Sequence, residues 1–188
     1  MDIVYLPATE PEDATYGFPP SQIVGRSDLV FHEVRFGHMV WYNEQIRAEA
    51  LEQIAALNLD RLVLVGFSKS GLGAWHLTRA LGDRVEATII FDAPFAHEAI
   101  PTQWGAGPFY SDVETWREEL PIRRVTDLEL QGHRGHRLIL VSGVNFDADM
   151  VAMGDQLAEA DCPHTLLRRP ELTHHWSSGW LELALTEL

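Results

Sequence analysis

Short apolar runs alternate along the chain with longer stretches of helical period. Residues 2–6 (Asp-Ile-Val-Tyr-Leu) read as a first strand and residues 29–35 as a second. Ile46, Ala50, Ile54 and Leu57 recur at helical spacing and predict a helix over residues 42–57, ended by Asn58 and Asp60. Arg61-Leu62-Val63-Leu64-Val65-Gly66 is a continuous apolar run of the kind buried on both faces of a parallel sheet. Residues 72–81 then read as a helix stopped by Gly82, 85–91 as a buried strand and 138–141 as another such run. A helix over 150–160, a short strand at 165–167 and a final helix over 176–188 complete the alternation.

Strands alternating with helices predict an α/β three-layer sandwich with a mostly parallel six-stranded sheet. Two stretches break the rhythm. Residues 7–28 form a loop punctuated by Gly17, Pro19, Pro20 and Gly25. Residues 94–136 are too long for a plain connection, carry Trp104, Gly105, Gly107 and Trp116, and predict a helix near 113–120. They are expected to be a lid insertion within one domain spanning residues 1–188, although a structural excursion would read the same way.

Composition narrows the function classes. The 188 residues carry 28 acidic and 14 basic side chains, a formal net charge of −14. Nucleic acids and anionic membranes reward a basic face, so neither is expected as a partner; a small-molecule substrate is. No apolar run approaches the roughly 18 residues that cross a bilayer. The N-terminus has an early acid and no basic stretch, which argues against a signal peptide. The single Cys162 cannot form an internal disulfide, so a cytoplasmic protein is expected. His133-x-x-His136 reads as loop, and no zinc-ligand spacing is present.

The chemistry concentrates at Leu64-Val65-Gly66-Phe67-Ser68-Lys69-Ser70-Gly71-Leu72-Gly73, where a buried strand runs into Gly-x-Ser-x-Ser-Gly and a helix begins at once. This is the context of a nucleophile elbow, whose serine hydroxyl is presented above the sheet on a strained turn. Small residues must flank it; Gly66 and Ser70 do so around Ser68, whereas a Ser70 nucleophile would put Leu72 at the tight position. A serine there can also be a plain helix cap.

With these residues in place, nearly the whole chain resembles the α/β-hydrolase family. Arg137-Leu138-Ile139-Leu140-Val141-Ser142-Gly143 leads into a loop with Asp147 and Asp149, and Glu171-Leu172-Thr173-His174-His175-Trp176 precedes the final helix. The order Ser, Asp, His is that of the family, and His174 with Trp176 is similar to the His-x-Trp ending of its esterase branches. The resemblance implies a serine hydrolase, cleaving a small ester, thioester or related carbonyl through an acyl-enzyme without a cofactor. It assigns Ser68 as nucleophile, His174 as base and Asp147 as the acid completing a catalytic triad. Asp149, which precedes the helical run, reads as an N-cap; Asp92, ending the strand beside the elbow, is an alternate acid or a turn cap; His175 is the alternate base. The backbone N–H of Lys69 is the first oxyanion donor, and Ala8 or Thr9 the second.

The sequence departs from the family at three points. Ser70 stands in place of the usual glycine, Leu6-Pro7-Ala8-Thr9 lacks the His-Gly of the oxyanion loop, and the first two strands are missing. The competing expectation is therefore a hydrolase-fold protein without catalysis, acting as a binding or interaction module.

Overall fold

The computed structural model describes residues 1–8, 24–105, 110–127 and 135–188. Its centre is a six-stranded, all-parallel sheet in the order β2-β1-β3-β4-β5-β6. The strands are β1 (Asp2–Leu6), β2 (Val30–Glu33), β3 (Leu62–Phe67), β4 (Val85–Phe91), β5 (Arg137–Ser142) and β6 (Thr165–Arg168). The helices are α1 (Glu44–Ala56), α2 (Lys69–Leu81), α3 (Val113–Glu119), α4 (Asp147–Glu159) and α5 (Trp180–Leu185).

Alternation along the strands builds two cores. Val4, Leu6, Leu62, Leu64, Leu138 and Leu140 face one side, where they pack with Ile46, Ala50 and Ile54 of α1, Leu72 and Trp75 of α2, Trp116 of α3 and Met150 and Met153 of α4. Ile3, Tyr5, Val63, Val65, Ile89, Phe91, Ile139 and Val141 face the other, against Trp176 and Trp180, Leu181 and Ala184 of α5. The central strands are apolar at nearly every position because both faces are covered.

The strand order explains where a site can form. From β1 the chain steps outward to β2, then returns past β1 to β3 and continues outward through β4, β5 and β6. The carboxyl ends of β1 and β3 therefore flank the point where strand order reverses, the crevice in which open α/β sheets bind ligands. Register sets the neighbours: Leu6 lies opposite Gly66 and Phe67 opposite Phe91. Continuing each strand by one or two residues brings Ala8, Ser68 and Asp92 to one edge.

Three elements differ from the sequence expectation by more than two residues or by a break. α2 starts at Lys69, three residues earlier than its apolar period indicates. α4 starts at Asp147, with Phe146 at the cap position, so Asp149 lies within the first turn and is not the N-cap. The C-terminal segment is a short 3₁₀ turn, Trp176–Ser178, then α5, separated by Gly179 at φ 86°.

Within the 94–136 stretch, Asp112 caps α3 by accepting from the Thr115 N–H at 2.8 Å. Trp116 Nε1 donates to the His97 carbonyl at 2.9 Å, and Arg47 pairs with Glu119 at 2.5 Å across to α1. Residues 9–23, which include Thr9, Gly17, Pro19 and Pro20, lie outside the described residues, as do Gly107 and His133. No described helix is long and apolar enough to cross a membrane.

Candidate active site

Ser68 sits where β3 turns into α2, at φ 55° and ψ −126°. A non-glycine residue in that region is strained, and such strain persists only where the surroundings enforce it. They do so here. The Ser68 N–H donates to the Phe91 carbonyl at 2.8 Å, and the Gly71 N–H donates to the Ser68 carbonyl at 2.9 Å. Gly66 admits the close crossing of strand and helix: a Cβ there would stand 2.5 Å from the Ser70 carbonyl oxygen. Ser68 occupies the N-cap position of α2, yet its side chain makes no capping hydrogen bond. The hydroxyl is therefore not spent on the helix.

Ser70 has a different task. It is fully buried, and its hydroxyl accepts from the Phe67 N–H at 2.8 Å while donating to the Phe67 carbonyl at 2.9 Å. The hydroxyl fastens the end of β3 to the first turn of α2, which accounts for a serine at a position where the family pattern has glycine.

His174 lies over the end of β3. Its ring stacks on Phe67, with centroids 4.5 Å apart, and meets Phe146 edge-on at 5.7 Å. Its Nδ1 is 2.7 Å from Asp92 Oδ2. Asp92 is fully buried and itself held at φ 39°. Its carboxylate also accepts the N–H groups of Gly143 at 2.9 Å, Phe146 at 2.8 Å and Asn145 at 3.3 Å. Three backbone donors offset the desolvation of a buried carboxylate and fix the oxygen that faces the imidazole. Gly143 makes room for this: a Cβ there would run into the Trp180 ring and stand 3.0 Å from the Asp92 carboxyl carbon.

Asp147 does not meet His174. The first turn of α4 directs it to Arg168, whose guanidinium donates at 2.7 and 3.0 Å, and to the buried Ser142 hydroxyl at 2.6 Å. The Arg168 bonds, and then the Ser142 bond, hold its carboxyl below the ordinary carboxylate range. Asp149 accepts the Ala96 N–H at 3.0 Å, tying α4 to the turn after β4, and burial raises its carboxyl. The acid facing His174 is thus Asp92, the alternate, in place of Asp147. One carboxylate thus accepts from the loop backbone, as a turn cap does, and also faces the imidazole.

With Nδ1 taken by Asp92, His174 presents Nε2 as the nitrogen free to exchange a proton. Among the described residues no hydrogen bond joins Ser68 Oγ to His174; such bonds are often long in unliganded sites and tighten on substrate binding. His175 donates its backbone N–H to the Thr173 carbonyl at 2.7 Å, and its carbonyl accepts from Trp180 Nε1 at 2.6 Å, so its main chain anchors α5. Ala8 is buried and follows Leu6 by two residues, as Ser68 follows Gly66, the partner of Leu6 in the sheet. The N–H of Lys69 opens α2, where unpaired backbone donors favour negative charge.

Among the described residues no cluster of His, Cys, Asp or Glu could hold a metal ion. Cys162 is a buried free thiol.

Known structures share this architecture. The chain resembles FphF, a fluorophosphonate-binding serine hydrolase of Staphylococcus aureus, with a TM-score of 0.66 and 14% identity over 98% of this chain and 81% of that one. It resembles an S-formylglutathione hydrolase from Agrobacterium tumefaciens with a TM-score of 0.67 and 14% identity, over 99% and 82%. A single-residue variant of Arabidopsis thaliana SOBER1 matches with a TM-score of 0.51 and 10% identity, over 98% of this chain and all of that one. No family model matches the sequence, and no curated protein matches it. The chain has the α/β-hydrolase fold.

Proposed function

We propose that this protein is a serine hydrolase that cleaves a small ester, thioester or related carbonyl substrate through an acyl-enzyme. The observation that carries the reading is the His174–Asp92 pair, 2.7 Å apart, seated on Phe67 directly before the strained Ser68. In this reading Ser68 attacks the carbonyl while His174 Nε2 takes its proton. Asp92 fixes the tautomer and supports the imidazolium. The Lys69 N–H holds the oxyanion, with the Ala8 N–H as second donor on the facing loop. His174 then returns the proton to the leaving alkoxide or thiolate, and water repeats the cycle on the acyl-enzyme. The fold shared with esterases and S-formylglutathione hydrolases supports the reaction class. We place the activity in the cytoplasm, on a small molecule, with residues 94–136 acting as a lid. Turnover of short-chain p-nitrophenyl esters tests the reading. Wild type should hydrolyse them, and Ser68→Ala and His174→Ala should each lose at least about 10³-fold while melting normally. Unchanged turnover in Ser68→Ala would overturn it.

A further inference from the structure

Lys69, next to Ser68, is an unusual place for a cation. It is 4% exposed, in a protein of net charge −14, yet no carboxylate pairs with it among the described residues. Its ammonium donates to the Trp104 carbonyl and lies 5.6 Å from the centre of the Trp41 ring. It also stands at the start of α2, the end of a helix where positive charge is unfavourable. Burying a charge without a counter-ion costs several kcal/mol, and one carbonyl with one aromatic face compensates only in part. Burial accordingly lowers its pKa from 10.5 to about 7.

The group covering the ammonium is held under strain. Trp104 adopts φ 61°, an outlying conformation for a bulky side chain, and is 73% exposed at the surface. Trp41 supports this cover by donating its Nε1 hydrogen to the Gln103 carbonyl at 3.0 Å, and a Cβ on Gly105 would stand 3.2 Å from its ring. The Lys69 ammonium is therefore held by the carbonyl of a strained, exposed residue, and Lys69 directly follows the proposed nucleophile.

We infer that Lys69, walled by Trp41 and Trp104, is a specificity subsite for a carboxylate carried by the substrate a few bonds from the reacting carbonyl. The carboxylate takes the place of the Trp104 carbonyl on the ammonium, supplies the missing counter-charge and releases the strained turn. A neutral substrate leaves the carbonyl in place and gains none of this.

The inference rests on the hydrolase reading, and binding to Ser68→Ala protein tests it separately from turnover. Calorimetry would compare monomethyl succinate with its neutral isostere methyl 4-methylpentanoate, and O-acetylglycolate with isobutyl acetate, so that the carboxylate lies on the acyl or the alcohol side. At least one anionic ester should bind ten-fold or more tighter than its neutral partner, and adding Lys69→Met should remove that advantage. Equal binding within both pairs, or an advantage that survives Lys69→Met, would overturn the subsite. Those outcomes would leave the hydrolase reading standing, because that reading fails only if Ser68 proves unreactive.

Discussion

Exchanging one oxygen of Asp92 for an NH₂ group separates the two candidate acids. In Asp92→Asn the amide has two orientations, and the structure ranks them. Oδ1 accepts two good backbone bonds, from Gly143 at 2.9 Å and Phe146 at 2.8 Å; Oδ2 accepts the longer Asn145 bond at 3.3 Å and faces His174. Turning the NH₂ toward Gly143 and Phe146 would set donor against donor at two buried sites, about 1–3 kcal/mol each. The favoured orientation therefore puts the NH₂ against His174, which must then accept at Nδ1 and carry its proton on Nε2. That tautomer cannot take a proton from Ser68. Turnover of p-nitrophenyl acetate should fall up to about 10⁴-fold, as the same change does in the protease triad, with stability reduced by only about 1–2 kcal/mol. Asp147→Asn weakens an Arg168 pair whose guanidinium is 61% exposed, worth at most about 1 kcal/mol, and should leave turnover within about three-fold. Paired steady-state kinetics and thermal melts give both numbers. A collapse in Asp147→Asn with near-normal turnover in Asp92→Asn would refute the assignment of Asp92.

Other expectations concern the frame of the site. Lys69→Met should stabilise the fold, because the lysine pKa falls from 10.5 to about 7 on folding. Unfolding then takes up a proton between those values, so wild-type stability rises with pH across that window. The variant's advantage, at most roughly 4–5 kcal/mol, should be largest below pH 7 and fade toward pH 10.5 in denaturant titrations. Ser70→Ala leaves the buried Phe67 N–H without its acceptor and should cost about 1–3 kcal/mol while Ser68 remains reactive, as melts and ester turnover would show. Gly143→Ala drives a methyl into Trp180 and the Asp92 carboxyl; a melting temperature equal to wild type would show that the packing there is looser than described.

The sheet was legible because its strands are apolar at nearly every position and its helices carry clear periods. Ser68 was legible because strand, small residues and helix follow without a gap. The carboxylate that meets His174 was not, for two reasons. α4 begins at Asp147, which turns a loop residue into a first-turn residue facing Arg168, and helix starts without a capping side chain leave little trace in sequence. The nearness of Asp92 to Ser68 comes from the pairing of Phe67 with Phe91, a matter of strand order and register. Gly143 was the available signal: it closes a strand where only a hydrogen atom fits between Trp180 and Asp92. The burial of Lys69 was hidden because it depends on Trp41 and Trp104, which lie far from it along the chain in opposite directions.

Ser68 as the reactive nucleophile is the claim on which the rest depends. Its most direct measurement is intact-mass and peptide mass spectrometry of the protein after treatment with a fluorophosphonate. The account predicts one phosphonyl group, on Ser68, absent in Ser68→Ala, retained in Ser70→Ala and much slower to form in His174→Ala. An unlabelled wild-type protein, or a label on Ser70, would contradict it.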